Sequence, residues 1–358
     1  MKRFLPVVIA LLFILLIFVS CGISDNRYEI ALIIDHDISD DISFKHGAWE
    51  GLKEYAEEHK KTYQYYQPSE VTNKAYLKSI DIAVKNSAKV IVAPSSLFEV
   101  TIYEAQVKYP DVNFILLDGE PHTEDYKTYH TEKNVLPILY AEEEAGFMAG
   151  YAAVKDGFTK LGFQGGMAVP EVIRYGHGFA QGAEIAAKEM GFAEGSVSLM
   201  YNYSGDFAAS EDSRERASSW YQAGTEVIFA CGGAVKNSVI AAAEADEGKY
   251  VIGVDVDQYA QSETVICSAV KMAANSVYQA LDAYYNNRWE GGKILILNAA
   301  NDGVGLSMEN SRWRKFDDND YNVLLKAVRD KKYNINRKTD IGVTELGLKY
   351  VNITEVKD

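Results

Sequence analysis

Five short apolar runs, at 30–34, 90–93, 114–117, 227–230 and 251–254, each end in a turn built from residues that can do chemistry. The turns are Asp35-His36-Asp37, Pro94-Ser95-Ser96, Asp118-Gly119, Cys231-Gly232-Gly233 and Asp255-Val256-Asp257. A carboxylate in such a turn accepts two hydroxyl hydrogen bonds, and charge-assisted bonds are roughly twice as strong as neutral ones. Any one of these turns is explained by the habit of Asp, Ser and Gly of starting turns and capping helices. As a group they look like the walls of one small-molecule site, because open α/β sheets bind ligands in the crevice outside the carboxyl ends of their strands. Other chemistries lack a signature. There is no Gly-x-Gly-x-x-Gly after the first run, no Walker loop and no Gly-x-Ser-x-Gly elbow. His36, His46, His122, His130 and His177 near Asp could supply metal ligands, but His36 and His46 lack a compact ligand spacing. Neither metal nor cofactor is expected, and the reading is of a binding protein without catalytic residues.

Two periodicities alternate along the chain and must position these turns. The short apolar runs read as buried parallel strands. Helix-like stretches lie between them at 44–60, 76–87, 98–109, 142–156, 178–190, 211–223, 236–245 and 271–288. Strand and helix in alternation predict an α/β protein with helices on both sheet faces. The charged stretch 312–338 reads as surface, and 343–351 as a late strand.

The N-terminus is a different kind of segment. Lys2 and Arg3 precede an apolar run from Phe4 to Val19, and Ser20-Cys21 follows. That is the pattern of a cleaved secretory signal, and its cysteine resembles the lipobox of bacterial lipoproteins, with Phe18 where the pattern prefers Leu. Residues 1–20 are read as the signal peptide, Cys21 as the lipidation site and 21–28 as a tether. The formal charge of −15 becomes −17 once Lys2 and Arg3 are removed, which excludes nucleic acid as a partner. The expected place is the outer face of a bacterial cytoplasmic membrane, held by lipid. Cys231 and Cys267 sit in apolar runs and are expected as buried thiols, with a disulfide outside the cytoplasm as the alternative.

Residues 35–52 (DHDISDDISFKHGAWEGL) resemble the opening motif of the basic membrane lipoprotein family, the PnrA-like solute-binding proteins of ABC transporters. Further matches follow in order: 114–119 ending in Asp-Gly, 142–153 (EEEAGFMAGYAA), 162–182 (GFQGGMAVPEVIRYGHGFAQG), 203–208 (YSGDFA), 252–258 (IGVDVDQ) and 268–271 (SAVK). The resemblance covers roughly 30–310. It implies a type I periplasmic-binding-protein fold, with two Rossmann-like lobes joined by a three-strand hinge. Lobe 1 is expected at 29–139 plus 268–292, and lobe 2 at 140–267 plus 293–358. The implied ligand is a purine nucleoside, and the implied partners are a permease and an ATPase. By motif position Phe44 and Phe207 would sandwich the base, with Asp118 on the base or ribose. Asp35, Asp255 and Lys271 would hold polar edges and hydroxyls, and Gly232 would admit the sugar. Asp41, Ser43 and Lys45 belong to the same motif. Asp41 and Ser43 are also natural helix caps, and Lys45 stands where the family has Asn, replacing a donor-acceptor by a charged donor. A sensor or surface lipoprotein on the same fold, or a nucleoside-processing enzyme using clustered Asp to activate water, are the alternatives.

Overall fold

The computed structural model describes residues 27–34 and 43–357. Cys21, Asp35 and Asp41 lie outside the described residues, as do the signal peptide and most of the tether.

Two sheets organise the chain. The first has strand order β11-β5-β4-β3-β1-β2, with β1 Ile30–Ile33, β2 Tyr63–Tyr66, β3 Val90–Pro94, β4 Asn113–Leu117, β5 Val135–Tyr140 and β11 Leu295–Leu297. Its pairings are all parallel. The second has order β12-β10-β9-β8-β6-β7-β13. Its strands are β6 Lys160–Gly165, β7 Val197–Tyr203, β8 Val227–Cys231, β9 Tyr250–Asp255, β10 Val265–Lys271, β12 Val304–Leu306 and β13 Val351–Glu355. Only the β10–β12 pairing is antiparallel.

Why strands form where they do is visible in β1. Ile30 and Leu32 pack with Ala48 and Leu52 of helix α1 (Phe44–Glu58). Ala31 and Ile33 face the other way, toward Ile80 of α2 (Asn73–Lys85) and Ile102 of α3 (Glu99–Lys108). A strand buried on both faces needs apolar residues at every position, so it reads as a continuous run. The second sheet repeats the plan, with α4 (Glu142–Asp156) and α5 (Pro170–Glu189) on one face. On its other face, α6 (Glu211–Gln222) and α7 (Val235–Glu244) cover Ile228 and Val251. Helices α8 (Ala273–Tyr285) and α9 (Asp318–Arg329) complete the set among the described residues.

The chain passes between the sheets three times: after β5, after β10, and between β11 and β12. Backbone bonds tie the crossings together, Ala141 N–H to the Leu297 carbonyl at 2.8 Å and Met272 N–H to Gly303 at 3.0 Å. This is the type I binding-protein architecture. Two expected boundaries shift. Residues 268–271 belong to β10 in the second sheet, and β11 returns to the edge of the first. The late strand is Val351–Glu355, and 343–346 is a 3₁₀ turn instead. Both thiols are free and buried.

Candidate functional site

Lys271 is the centre of the cleft between the lobes. It ends strand β10 and is 4% exposed. Its Nζ lies 2.6 Å from Asp118 Oδ2 of the first lobe, 3.4 Å from Asp255 Oδ1 of the second and 3.6 Å from Glu142 Oε1 at the crossing into α4. The ammonium sits 4.3 Å above the Phe44 ring centroid, and Tyr140 meets Phe44 edge-on at 5.7 Å. Burial pulls the Lys271 ammonium down in pKa, but Asp118, Asp255 and Glu142 outweigh it and hold the group well above the ordinary lysine range. Burial pushes the Asp118 carboxyl up to about 8, with Lys271 pulling the other way.

Backbone geometry aims the two aspartates. Asp118 directly follows β4 and Asp255 is the last residue of β9, with φ of 61° and 68°. That left-handed region is one Asp tolerates better than most residues. Asp118 N–H is held by the Ile138 carbonyl at 2.9 Å. The Tyr175 hydroxyl reaches Asp255 Oδ1 at 3.5 Å.

Glycines bring the supporting helices close enough. A Cβ on Gly51 would lie 2.1 Å from the Ala274 carbonyl oxygen, so α1 can press against α8 and carry Phe44 to Lys271. Gly146, Gly150, Gly178 and Gly182 do the same between α4 and α5, where added Cβ atoms would come within 2.2 Å of facing carbonyl oxygens. This contact sets Glu142 against Arg174, whose Nε donates to Glu142 Oε2 at 2.6 Å. Across the cleft, Ser96 Oγ donates to Glu171 Oε1 at 3.0 Å, linking the first lobe to the start of α5.

Around Lys271 and Arg174 stand Asp118, Asp255, Glu142, Glu143 and Glu171, so carboxylates exceed cations. Asp118 Oδ1, Glu142 Oε1 and Glu143 Oε2 are buried without a hydrogen-bond donor. Burial raises the Glu143 carboxyl to about 7 and pushes Glu171 up as well. Buried acceptors without donors are costly, so the arrangement is suited to a ligand rich in O–H and N–H groups.

The other expected residues take these places. Phe207 is half-buried on the glycine turns after β6 and β8. A Cβ on Gly166 would lie 2.5 Å from its ring, and one on Gly233 2.9 Å from its Cβ. Gly232, at φ 134°, has the Gly166 nitrogen 2.7 Å from where its own Cβ would stand. Ser43 caps α1, its Oγ accepting from His46 N–H at 3.5 Å. Lys45 is half-buried in the first turn of α1. Lys271, Asp118, Asp255 and Phe44 are thus brought together, while Phe207 stands on the second lobe against its glycine turns. Sequence reasoning missed Tyr140, Glu142, Glu171, Arg174 and Tyr175. The available signal was charge in an apolar context, since Glu142 and Arg174 flank small-residue helix stretches. A cavity of about 360 Å³ lies elsewhere, against Leu136, Met272, Gln279 and Leu297.

Comparison with known proteins fits this geometry. The family described as "ABC transporter substrate-binding protein PnrA-like" matches residues 28–345. The chain belongs to this family. A curated relative is the "ABC transporter nucleoside-binding protein BmpA" of Lactococcus lactis subsp. cremoris, 26% identical over 303 residues, covering 78% of this chain and 82% of the relative. Basic membrane protein B of Borreliella burgdorferi is 27% identical over 294 residues, covering 80% and 83%. Among solved structures, an ABC transporter solute-binding protein from Aeropyrum pernix K1 superposes with a TM-score of 0.66 at 22% identity, covering 88% of this chain and 89% of the other. That likeness shows the fold alone. As a PnrA-like substrate-binding protein, the chain belongs to a class that works outside the cytoplasm, binds small solutes and serves a permease and an ATPase. These relatives are substrate-binding proteins, not enzymes. No helix among the described residues is long and apolar enough to cross a membrane.

Proposed function

We propose that this protein captures purine nucleosides in the cleft between its lobes and delivers them to an ABC importer. In this reading it is held at the outer face of the cytoplasmic membrane by lipid on Cys21. The observation that carries it is Lys271 between Asp118 and Asp255, one carboxylate from each lobe, beside the Phe44 ring. A nucleoside supplies what this cleft lacks. Its ribose hydroxyls and ring N–H groups are donors for the buried carboxylate oxygens. Its base is an aromatic plane for Phe44 and Phe207, and such stacking is worth roughly 1–3 kcal/mol per base. By motif position, Asp35, Asp41, Ser43 and Lys45 would be further ligand contacts in this reading. The name of the Lactococcus relative points the same way.

The cycle needs no covalent chemistry. Ligand docks on one lobe, and contacts from the other favour closure by differential affinity. Ser96 Oγ donates to Glu171 Oε1 across the cleft, a contact that separation of the lobes would break. Calorimetric titration of the refolded chain with inosine, guanosine, adenosine and cytidine tests the ligand. Micromolar or tighter binding of purines over cytidine is expected, and no heat with any of the four refutes it. Metabolic labelling with a fatty acid, lost in Cys21→Ala, tests the anchor.

A further inference from the structure

Behind Asp118 lies a second set of groups that the ligand contacts do not use. Glu99 opens α3, just after the Ser95-Ser96 turn. Its Oε1 accepts the Glu120 backbone N–H at 2.9 Å, and its Oε2 lies 3.0 Å from His122 Nε2. A Cβ on Gly119 would stand 2.6 Å from Glu99 Cγ, so this carboxylate side chain lies flush against the turn that carries Asp118. His122 is 1% exposed. Its Nδ1 is 2.7 Å from the Thr123 carbonyl, and Tyr126 and Tyr129 cover its ring at 4.3 and 5.0 Å.

The proton count follows from these partners. A carbonyl oxygen only accepts, so Nδ1 carries a hydrogen and donates to Thr123. The contact between Nε2 and Glu99 then needs one further proton. Either it sits on Nε2, giving an imidazolium–carboxylate pair, or on Glu99, which then donates to Nε2. With neither, a nitrogen lone pair faces a carboxylate and the contact becomes repulsive. Burial pushes the Glu99 carboxyl up, with the Glu120 N–H and His122 pulling it down. The other titratable groups facing the pair are Glu120, Tyr126 and Tyr129.

We propose that Glu99 and His122, sharing one proton, are the positioning pair that fixes the Asp118 turn, and that loss of this proton loosens Asp118 and weakens ligand capture. This rests on Asp118 being a ligand-binding residue. In this proposal Glu99 and His122 do not themselves contact the ligand. They act through Gly119 and Glu120, which fix the left-handed backbone at Asp118.

The test compares the intact chain with Glu99→Gln and Glu99→Ala, using inosine as probe from pH 6 to 9. A Gln oxygen still accepts from Glu120 N–H, and its amide donates to neutral His122 permanently, so this variant cannot unload. Glu99→Gln is expected within about twofold of wild type at pH 6, whereas Glu99→Ala binds at least about tenfold more weakly. By pH 9 the wild type is expected to fall at least fivefold relative to Glu99→Gln. Asp118 titrates in both, so the ratio isolates the pair. Parallel pH profiles for wild type and Glu99→Gln overturn the proposal, as does full affinity in a folded Glu99→Ala. If wild type binds no nucleoside, the proposed ligand fails, and deuterium exchange of the Glu120 amide decides the pair. Faster exchange in wild type than in Glu99→Gln as pH rises supports it, and equal exchange at every pH overturns it.

Discussion

Asp118 and Asp255 are the same device built twice and tuned differently. Each ends a parallel strand, takes a left-handed backbone and faces Lys271. The Asp118 side chain is 7% exposed and keeps one oxygen without a donor, whereas the Asp255 side chain is 19% exposed and has the Tyr175 hydroxyl within reach. The first lobe thus offers a desolvated, rigidly backed acceptor. The second offers a wetter one that already has a protein donor. A buried ion pair gains more from a new donor than an exposed one, because water competes less.

Removing their common partner should break both sides at once. Lys271→Met leaves buried carboxylates uncompensated, and nucleoside affinity should fall by at least about 30-fold, the usual effect of truncating one member of a buried charge pair. Isothermal titration measures this, with circular dichroism checking the fold. The aspartates should then separate. Asp118→Ala should weaken binding by about tenfold or more, as for a hydrogen bond to a charged group, while Asp255→Ala should cost only about threefold. Equal losses would erase the distinction drawn between the lobes. Phe44→Ala should match the Asp118 loss in affinity, and because the ring is 7% exposed it should also lower Tm.

Stability against pH gives a smaller effect. Asp118 at about 8 and Glu143 at about 7 both lie above the ordinary carboxyl range in the folded chain. Between about pH 4 and 8 the folded state therefore binds more protons than the unfolded one, and stability declines as pH rises through that window. The ligand-free protein should melt roughly 3 °C higher at pH 6 than at pH 8.5, and Asp118→Asn should flatten that slope. A melting point that rises over the same interval would contradict the assignment of buried, proton-holding carboxyls to the cleft. The smallest effect is expected from Tyr175→Phe, about twofold in affinity, since its bonds to Asp255 and the Ala269 carbonyl are 3.5 and 3.4 Å long.

The strand-end turns were legible because a buried parallel strand is a continuous apolar run, and the polar residue that stops it lies by construction at the carboxyl edge. Asp118, Asp255 and Gly232 were found in this way. Lys271 came from a short motif and stood at the first position of the helix expected at 271–288. It ends a buried strand instead, and what places it there is the pairing of β10 with β9 and β12. Phe44 was placed beside the base by the family resemblance alone, and the folded chain adds that the Lys271 ammonium and Tyr140 hold its ring. Glu142 and Arg174 were hidden because they are 32 residues apart and meet only through the glycine-lined contact of α4 with α5.

Sequence by itself determined the alternation of strand and helix, the acidic character and the catalogue of turns that could line a site, since these depend on local pattern and composition. Tertiary structure alone decided which lobe each late strand joins, which carboxylates share one lysine, and that Glu99 and His122 stand behind Asp118. Those relations depend on groups far apart in the chain whose interaction is strong only once water has been excluded from between them, and no local pattern carries that information.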